Sequence, residues 1–193
     1  MSEPELIIRL PAWMAEHAGK AGGEYAEVAE RMRLVIEWSR LNVKYGTGGP
    51  FAAGVFDQAG RLIAAGVNMV TSSNCSVLHA ETVAIALAQQ STGCYDLSDR
   101  GKFNYELVAS TEPCAMCFGA VLWSGVKSLV CGARTEDAQQ IGFDEGAKLP
   151  DWIEELNKRG ISVQQDVLRF EAVAVLQEYI DTGGEIYNAG KTR

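Results

Sequence analysis

Residues 105–133 read YELVASTEPCAMCFGAVLWSGVKSLVCGA. YELVAS and SLVCGA have the aromatic and β-branched, apolar character of strands. Between them, EPCAMCFGAVLW leaves a loop at Pro113 and enters a helix. A helix between two strands carries the chain back across the sheet, so the strands should run parallel. Working outward toward the C-terminus come TEDAQQIGFDEG, a helix PDWIEELNKRG, a short strand ISVQQDV and a last helix RFEAVAVLQEYI. In the other direction lie a helix HAETVAIALAQQ and, before it, the polar stretch TSSNCS after Asn68. Earlier still, FAAGVF and RLIAAGV flank the turn-like DQAG, which reads as a β-hairpin. A first helix should start near Glu24, with Val28, Met32, Val35, Ile36 and Val43 at helical spacing, and stop at YGTGGP.

Helix, hairpin, then helices alternating with strands describe an α/β fold: a three-layer α-β-α sandwich on a mixed sheet of about five strands. The expected organisation is an N-terminal arm over residues 1–23, one catalytic domain over 24–182 and a C-terminal tail over 183–193. The arm is expected as a short apolar piece, Pro11 and a flexible AGKAGG.

A chain of 193 residues with 47% hydrophobic and 22% charged residues has the composition of one ordinary globular domain. No apolar run reaches the length needed to cross a bilayer. The start, MSEPELIIRLPAW, has neither the basic opening nor the long apolar stretch of a signal peptide. A cytoplasmic location with mostly reduced cysteines is therefore expected. The net charge of -8 comes from 25 acidic against 17 basic residues, and the basic ones do not cluster. Such a surface weighs against a nucleic-acid partner.

Cys114 and Cys117 stand three apart directly after Pro113. Alone, a C-x-x-C pair serves equally as a redox couple, half of a structural zinc site, or two ligands of a catalytic metal. No thioredoxin-like pattern surrounds it, and no second C-x-x-C exists. Cys75, Cys94 and Cys131 read as ordinary thiols, and His17 as a packed or surface residue. His79 is set apart by its company, because it opens HAETVAI with Glu81 two residues later. H-x-E followed by P-C-x-x-C is the signature of zinc deaminases.

The chemistry explains the residue types. One imidazole nitrogen and two thiolates give zinc three protein ligands and leave a fourth position for water. Cysteines at i and i+3 share a helix face, and the first helical turn favours their thiolate form. Glu81, close to the water without being a ligand, is the natural general base.

With these motifs in place the chain resembles the cytidine deaminase superfamily and, more narrowly, its bacterial guanine deaminases. The resemblance rests on GPFAA (49–53), Asn68, HAE (79–81), EPCAMC (112–117) and GFDE (142–145). It implies one zinc ion per chain on His79, Cys114 and Cys117, with Glu81 shuttling protons. It implies that Asn68 and the backbone around Ala80 hold a purine base, with Phe51 and Trp123 near the ring. Glu145, beside Asp144, matches a second carboxylate that delivers a proton to the departing amine. Tyr187 is a candidate lid residue, in a homodimer whose C-terminal segments exchange. One departure is NCSVLHAE, where family members often carry an Asp-Pro pair before the histidine.

The expected reaction is hydrolytic deamination of guanine to xanthine and ammonia, on a small-molecule base, without nucleic acid or membrane. The rivals are deamination of another aminated ring, such as tRNA adenosine, a cytosine compound, a pterin or a triazine, and a non-catalytic zinc-binding module.

Overall fold

Alternation along the central strands explains the layers. Ala53 and Val55 face one apolar cluster, while Ala52 and Phe56 face another, and Leu107 and Val108 divide in the same way. Side chains of a strand point alternately to its two faces. Both faces are apolar here, so both must be covered.

The computed structural model describes residues 5, 7–20, 22–188 and 190. Its elements in chain order are α1 (Ala12–Lys20), α2 (Val28–Lys44), β1 (Ala52–Phe56), β2 (Leu62–Val67), α3 (Ala80–Thr92), β3 (Glu106–Thr111) and α4 (Ala115–Ser124). They continue with β4 (Ser128–Ala133), α5 (Thr135–Gln140), α6 (Trp152–Lys158), β5 (Ser162–Gln164) and α7 (Arg169–Asp181). The sheet order is β2-β1-β3-β4-β5. β1 runs antiparallel to β2 and β3, while β3, β4 and β5 are parallel. α2 and α7 cover one face through Met32, Val35, Ile36, Val175 and Leu176. α3, α4 and α6 cover the other through Ala84, Ile85, Val121 and Leu156. The expected mixed, five-stranded, three-layer architecture is what the chain adopts.

The topology fixes where a site can form. Since β1 is antiparallel to both neighbours, β2, β3 and β4 all end at the same edge of the sheet. Crevices at the carboxyl ends of strands, next to a reversal in strand order, are where α/β folds place their ligands. α3 and α4 both begin at that edge. α3 lies close against β2 because Gly66 has no side chain: a Cβ there would stand 2.3 Å from the Ala80 carbonyl oxygen and 2.6 Å from the Ala84 nitrogen.

Two expectations need correcting. The arm contains helix α1, whose Met14 is fully buried in the main core. Trp13 anchors it, stacking on Tyr45 at 5.5 Å and donating from Nε1 to the Thr47 hydroxyl at 3.0 Å. Burial of these two side chains overrides the helix-weakening glycine in AGK. The first long helix begins at Val28 rather than near Glu24, because Glu24 pairs with Arg61 in an isolated bridge. Glu30 then receives the Glu27 N–H at 3.2 Å and starts the helix.

Candidate active site

His79 and Cys114 occupy equivalent places, each the residue just before a helix, α3 and α4 respectively. Cys117 lies in the first turn of α4 and is fully buried. The His79 Nδ1 stands 3.5 Å from the Cys114 sulfur and 3.6 Å from the Cys117 sulfur. For a tetrahedral ion with bonds of ~2.3 Å to sulfur and ~2.05 Å to nitrogen, the N–S edge is ~3.6 Å. The donors therefore already stand at the separations zinc requires. Among the described residues this is the group of three or more ligand-type side chains whose donor atoms converge, all within 4.8 Å.

The charge distribution points the same way. Cys114 is lowered to about 4, chiefly because the Cys117 thiol donates to its sulfur, with His79 adding to the effect against burial. The Cys117 thiol is correspondingly pushed up. One proton is thus shared between two sulfurs. A divalent cation would take its place and hold both as thiolates.

Two carboxyl groups face the same cavity of about 400 Å³, which is also lined by His79, Cys114, Asn68 and Tyr187. Burial pushes Glu81 up to about 7, with repulsion from the Cys114 thiolate adding to the shift. Burial also raises Glu145 to about 8, again with Cys114 and Glu81 contributing. Carboxyls poised near neutrality can both take up and release a proton.

Asn68 follows β2 directly and is 1% exposed. Its Oδ1 accepts the N–H groups of Gly49 at 3.4 Å and Val70 at 3.2 Å. Its Nδ2 is buried without a partner, as are the hydroxyls of Thr111 and Tyr187 on the same cavity. Buried polar atoms without partners are rare in folded proteins. Three of them around one cavity form a set of hydrogen-bonding groups aimed at a polar guest.

The zinc-binding region of the cytidine and deoxycytidylate deaminases matches residues 27–133, a stretch that contains Asn68, His79, Glu81, Cys114 and Cys117. The chain belongs to this deaminase family. A guanine deaminase from Nitrosomonas europaea is 47% identical, covering 91% of this chain and 96% of that one with a TM-score of 0.87. A variant of a protein named NE0047, solved with 8-azaguanine, is 46% identical over 95% of this chain and 99% of its own, with a TM-score of 0.90. The guanine deaminase of Bacillus subtilis is 43% identical over 103 residues, 53% of this chain, and the chain spans 62% of that relative's length.

Within this deaminase site most of the sequence-derived residues come together: Phe51, Asn68, His79, Glu81, Cys114, Asp144, Glu145 and Tyr187 all line the cavity. Cys117 stands just behind its wall. Ala80 is fully buried and not part of the lining. Trp123 is a correction. It is 86% exposed and away from the cavity, because it falls on the outward face of α4 while Phe118 and Val121 take the inward one. Phe143 was not singled out from the sequence, although it sits inside GFDE. It packs edge-on against Phe51 at 4.9 Å and Tyr187 at 5.1 Å, forming an aromatic wall. An apolar residue in an otherwise acidic turn was the available signal. Thr111 gave none, since a hydroxyl at the end of a buried strand looks like any other.

Proposed function

We propose that this chain hydrolyses guanine to xanthine and ammonia. The observation that carries the reading is the unpartnered Asn68 Nδ2, which shares one cavity with two buried carboxyls and with three side chains placed to hold a metal ion. The similar structures that hold 8-azaguanine or 2,6-diaminopurine support a flat aminated purine as the guest. The net charge of -8 disfavours a tRNA substrate.

When held by His79, Cys114 and Cys117, zinc supplies a Lewis acid that lowers the pKa of water at its open position from ~15.7 toward ~7. Glu81 takes a proton from the attacking water and passes it to the ring nitrogen beside the carbon under attack. Glu145, raised by burial, delivers a proton to the amine, so that the carbon–nitrogen bond breaks with ammonia rather than an amide anion leaving, and it regains a proton from the hydroxyl that becomes the new carbonyl. Asn68 Nδ2 donates to an acceptor on the ring and fixes its orientation. Phe51 and Phe143, packed edge to face as one wall, cover one side of the ring and exclude water from it.

We assign residues 24–182 to the catalytic domain, with α1 joined to its core, and residues 183–193 to a tail, of which 189 and 191–193 lie outside the described residues, that closes the cavity through Tyr187. A Cβ on Gly49 would stand 2.0 Å from the Tyr187 hydroxyl, so Gly49 gives that ring its seat. In this reading the tail closes its own chain's cavity. Trp123, with Met116 seven residues earlier on α4, presents an apolar strip suited to a second copy of the chain. We place the enzyme in the cytoplasm, where its thiols stay reduced.

The test is ammonia release from guanine by the zinc-loaded protein. Glu81→Gln should keep its zinc and lose turnover by a thousandfold or more, and Cys114→Ala should lose both. Near-normal release by Glu81→Gln would overturn the mechanism. A zinc-loaded wild type that is inert on guanine but active on adenine or cytosine would overturn the substrate.

A further inference from the structure

Lys148 is a buried cation in contact with none of the reacting groups described above, and its side chain is 8% exposed. Its ammonium donates to the Pro113 carbonyl at 3.1 Å and also to the Thr135 hydroxyl. It lies 3.5 Å from the carboxylate of Glu112, which is itself 4% exposed, and 4.4 Å from the centre of the Trp152 ring. A lysine held in so dry a place needs such partners, because burying an unpaired ammonium costs several kcal/mol, roughly. The structure thus goes to some length to hold this one cation on one carbonyl.

That carbonyl belongs to the residue immediately before Cys114. On the other side of Cys114, the Ala115 N–H donates to the Glu145 carbonyl at 2.9 Å. The residues flanking the ligand are therefore tied, in opposite senses, to the single loop that carries Glu145 and Lys148. Gly146, at φ +72°, turns the chain between them, and a Cβ there would approach the Ala115 side chain to 3.1 Å. Tightening the turn further, the Lys148 N–H donates to the Gly146 carbonyl at 3.0 Å. Glu145 sits at the centre of this clamp, held by its backbone carbonyl, and among the described residues its carboxyl makes no hydrogen bond to the cavity wall.

We propose that Lys148 is a positioning residue: by gripping the Pro113 carbonyl it holds the Glu145 carboxyl in register with Cys114, so that its proton reaches the departing amine. Glu112 neutralises the grip, and Thr135 N–H and hydroxyl, at 3.1 and 2.8 Å, hold Glu112 in turn. The inference rests on the proton-delivery role assigned to Glu145. A misplacement of about 1 Å at a reacting group can cost ~100-fold in rate, and the lysine acts on placement rather than on binding.

The experiment is a double-mutant cycle on the zinc-loaded enzyme with guanine as substrate. Lys148→Met should lower kcat by about ten- to a hundredfold, with KM within threefold and zinc content unchanged. Lys148→Arg should restore part of the loss. In a Glu145→Gln background, Lys148→Met should cost less than threefold more, because the group it positions is already disabled. A Lys148→Met/Glu112→Gln variant, which buries no unpaired charge, should reproduce the kcat loss if Lys148→Met alone fails to fold. Losses that multiply in the Glu145→Gln background would overturn the positioning role and leave that of Glu145 standing. Near-normal turnover by Glu145→Gln alone would overturn the role of Glu145 and this inference with it.

Discussion

Asn68 divides its side chain between two tasks, with its oxygen on the backbone of Gly49 and Val70 and its nitrogen on the cavity. Asn68→Asp separates them, because it keeps the acceptor and replaces the donor with a second acceptor. Steady-state kinetics on guanine should show kcat/KM falling about a hundredfold or more, since opposing a ring acceptor with a carboxylate costs ~3 kcal/mol. An unchanged kcat/KM would remove Asn68 from substrate recognition. Histidine, glutamate and two cysteines in order leave few interpretations, because their chemistry is tied to fixed spacing, whereas Asn68 is reached only through the resemblance to guanine deaminases. Trp123 was misread because aromatic character says nothing about which side of a helix a residue takes. Lys148 was invisible because its task depends on a carbonyl 35 positions away.

An ion pair joins helices α5 and α7 beside the apolar cluster of Ala138 and Tyr179. Asp137 on α5 accepts from Nε and Nη2 of Arg169 on α7, both at 2.8 Å, and also receives the Arg134 N–H at 2.8 Å. The bidentate contact with Arg169 holds the Asp137 carboxyl below the usual carboxylate range. A depressed folded-state pKa contributes stability that is present above the unfolded value of ~3.9 and is lost as pH falls through the folded one. Asp137→Asn should therefore lower stability by about 1–2 kcal/mol at pH 7, a figure discounted because Arg169 is partly solvated. Thermal unfolding at a series of pH values should show the gap between wild type and variant constant at neutral pH and shrinking as pH falls below ~3.9. A gap that stays constant into acid would mean that the charge is not what joins the helices. In the sequence α5 lies within TEDAQQIGFDEG, which carries no assignment, since six residues are too few for a periodic pattern. α1 went unread for a related reason: its hold on the body comes from Trp13 and Met14 finding partners far along the chain.

At the scale of the whole molecule, the two large apolar clusters lie on opposite faces of the sheet, a small third one gathers Ala138, Phe143 and Tyr179, and none of them includes a metal ligand. Removing zinc with a chelator should therefore leave the far-ultraviolet dichroism intact while lowering Tm. A ligand present at a hundred times its Kd contributes ~2.7 kcal/mol. At ~2–4 °C per kcal/mol for a chain of this size, the drop should be roughly 5–10 °C. Loss of helix signal on chelation would show instead that the ion supports the fold. The architecture was readable from the alternation of strands and helices. The strand order was not, because no local pattern records that β1 lies between β2 and β3. That placement has a consequence for how the site comes into being. His79 follows one outer neighbour of β1 and the cysteines follow the other, so the ligands meet across a strand that contributes none of them. The hairpin with its helix holds one ligand, and the parallel unit holds two. Neither half meets zinc's need for three. The metal centre is thus indivisible: during synthesis or refolding it is absent until the sheet has closed around β1, and then it is complete.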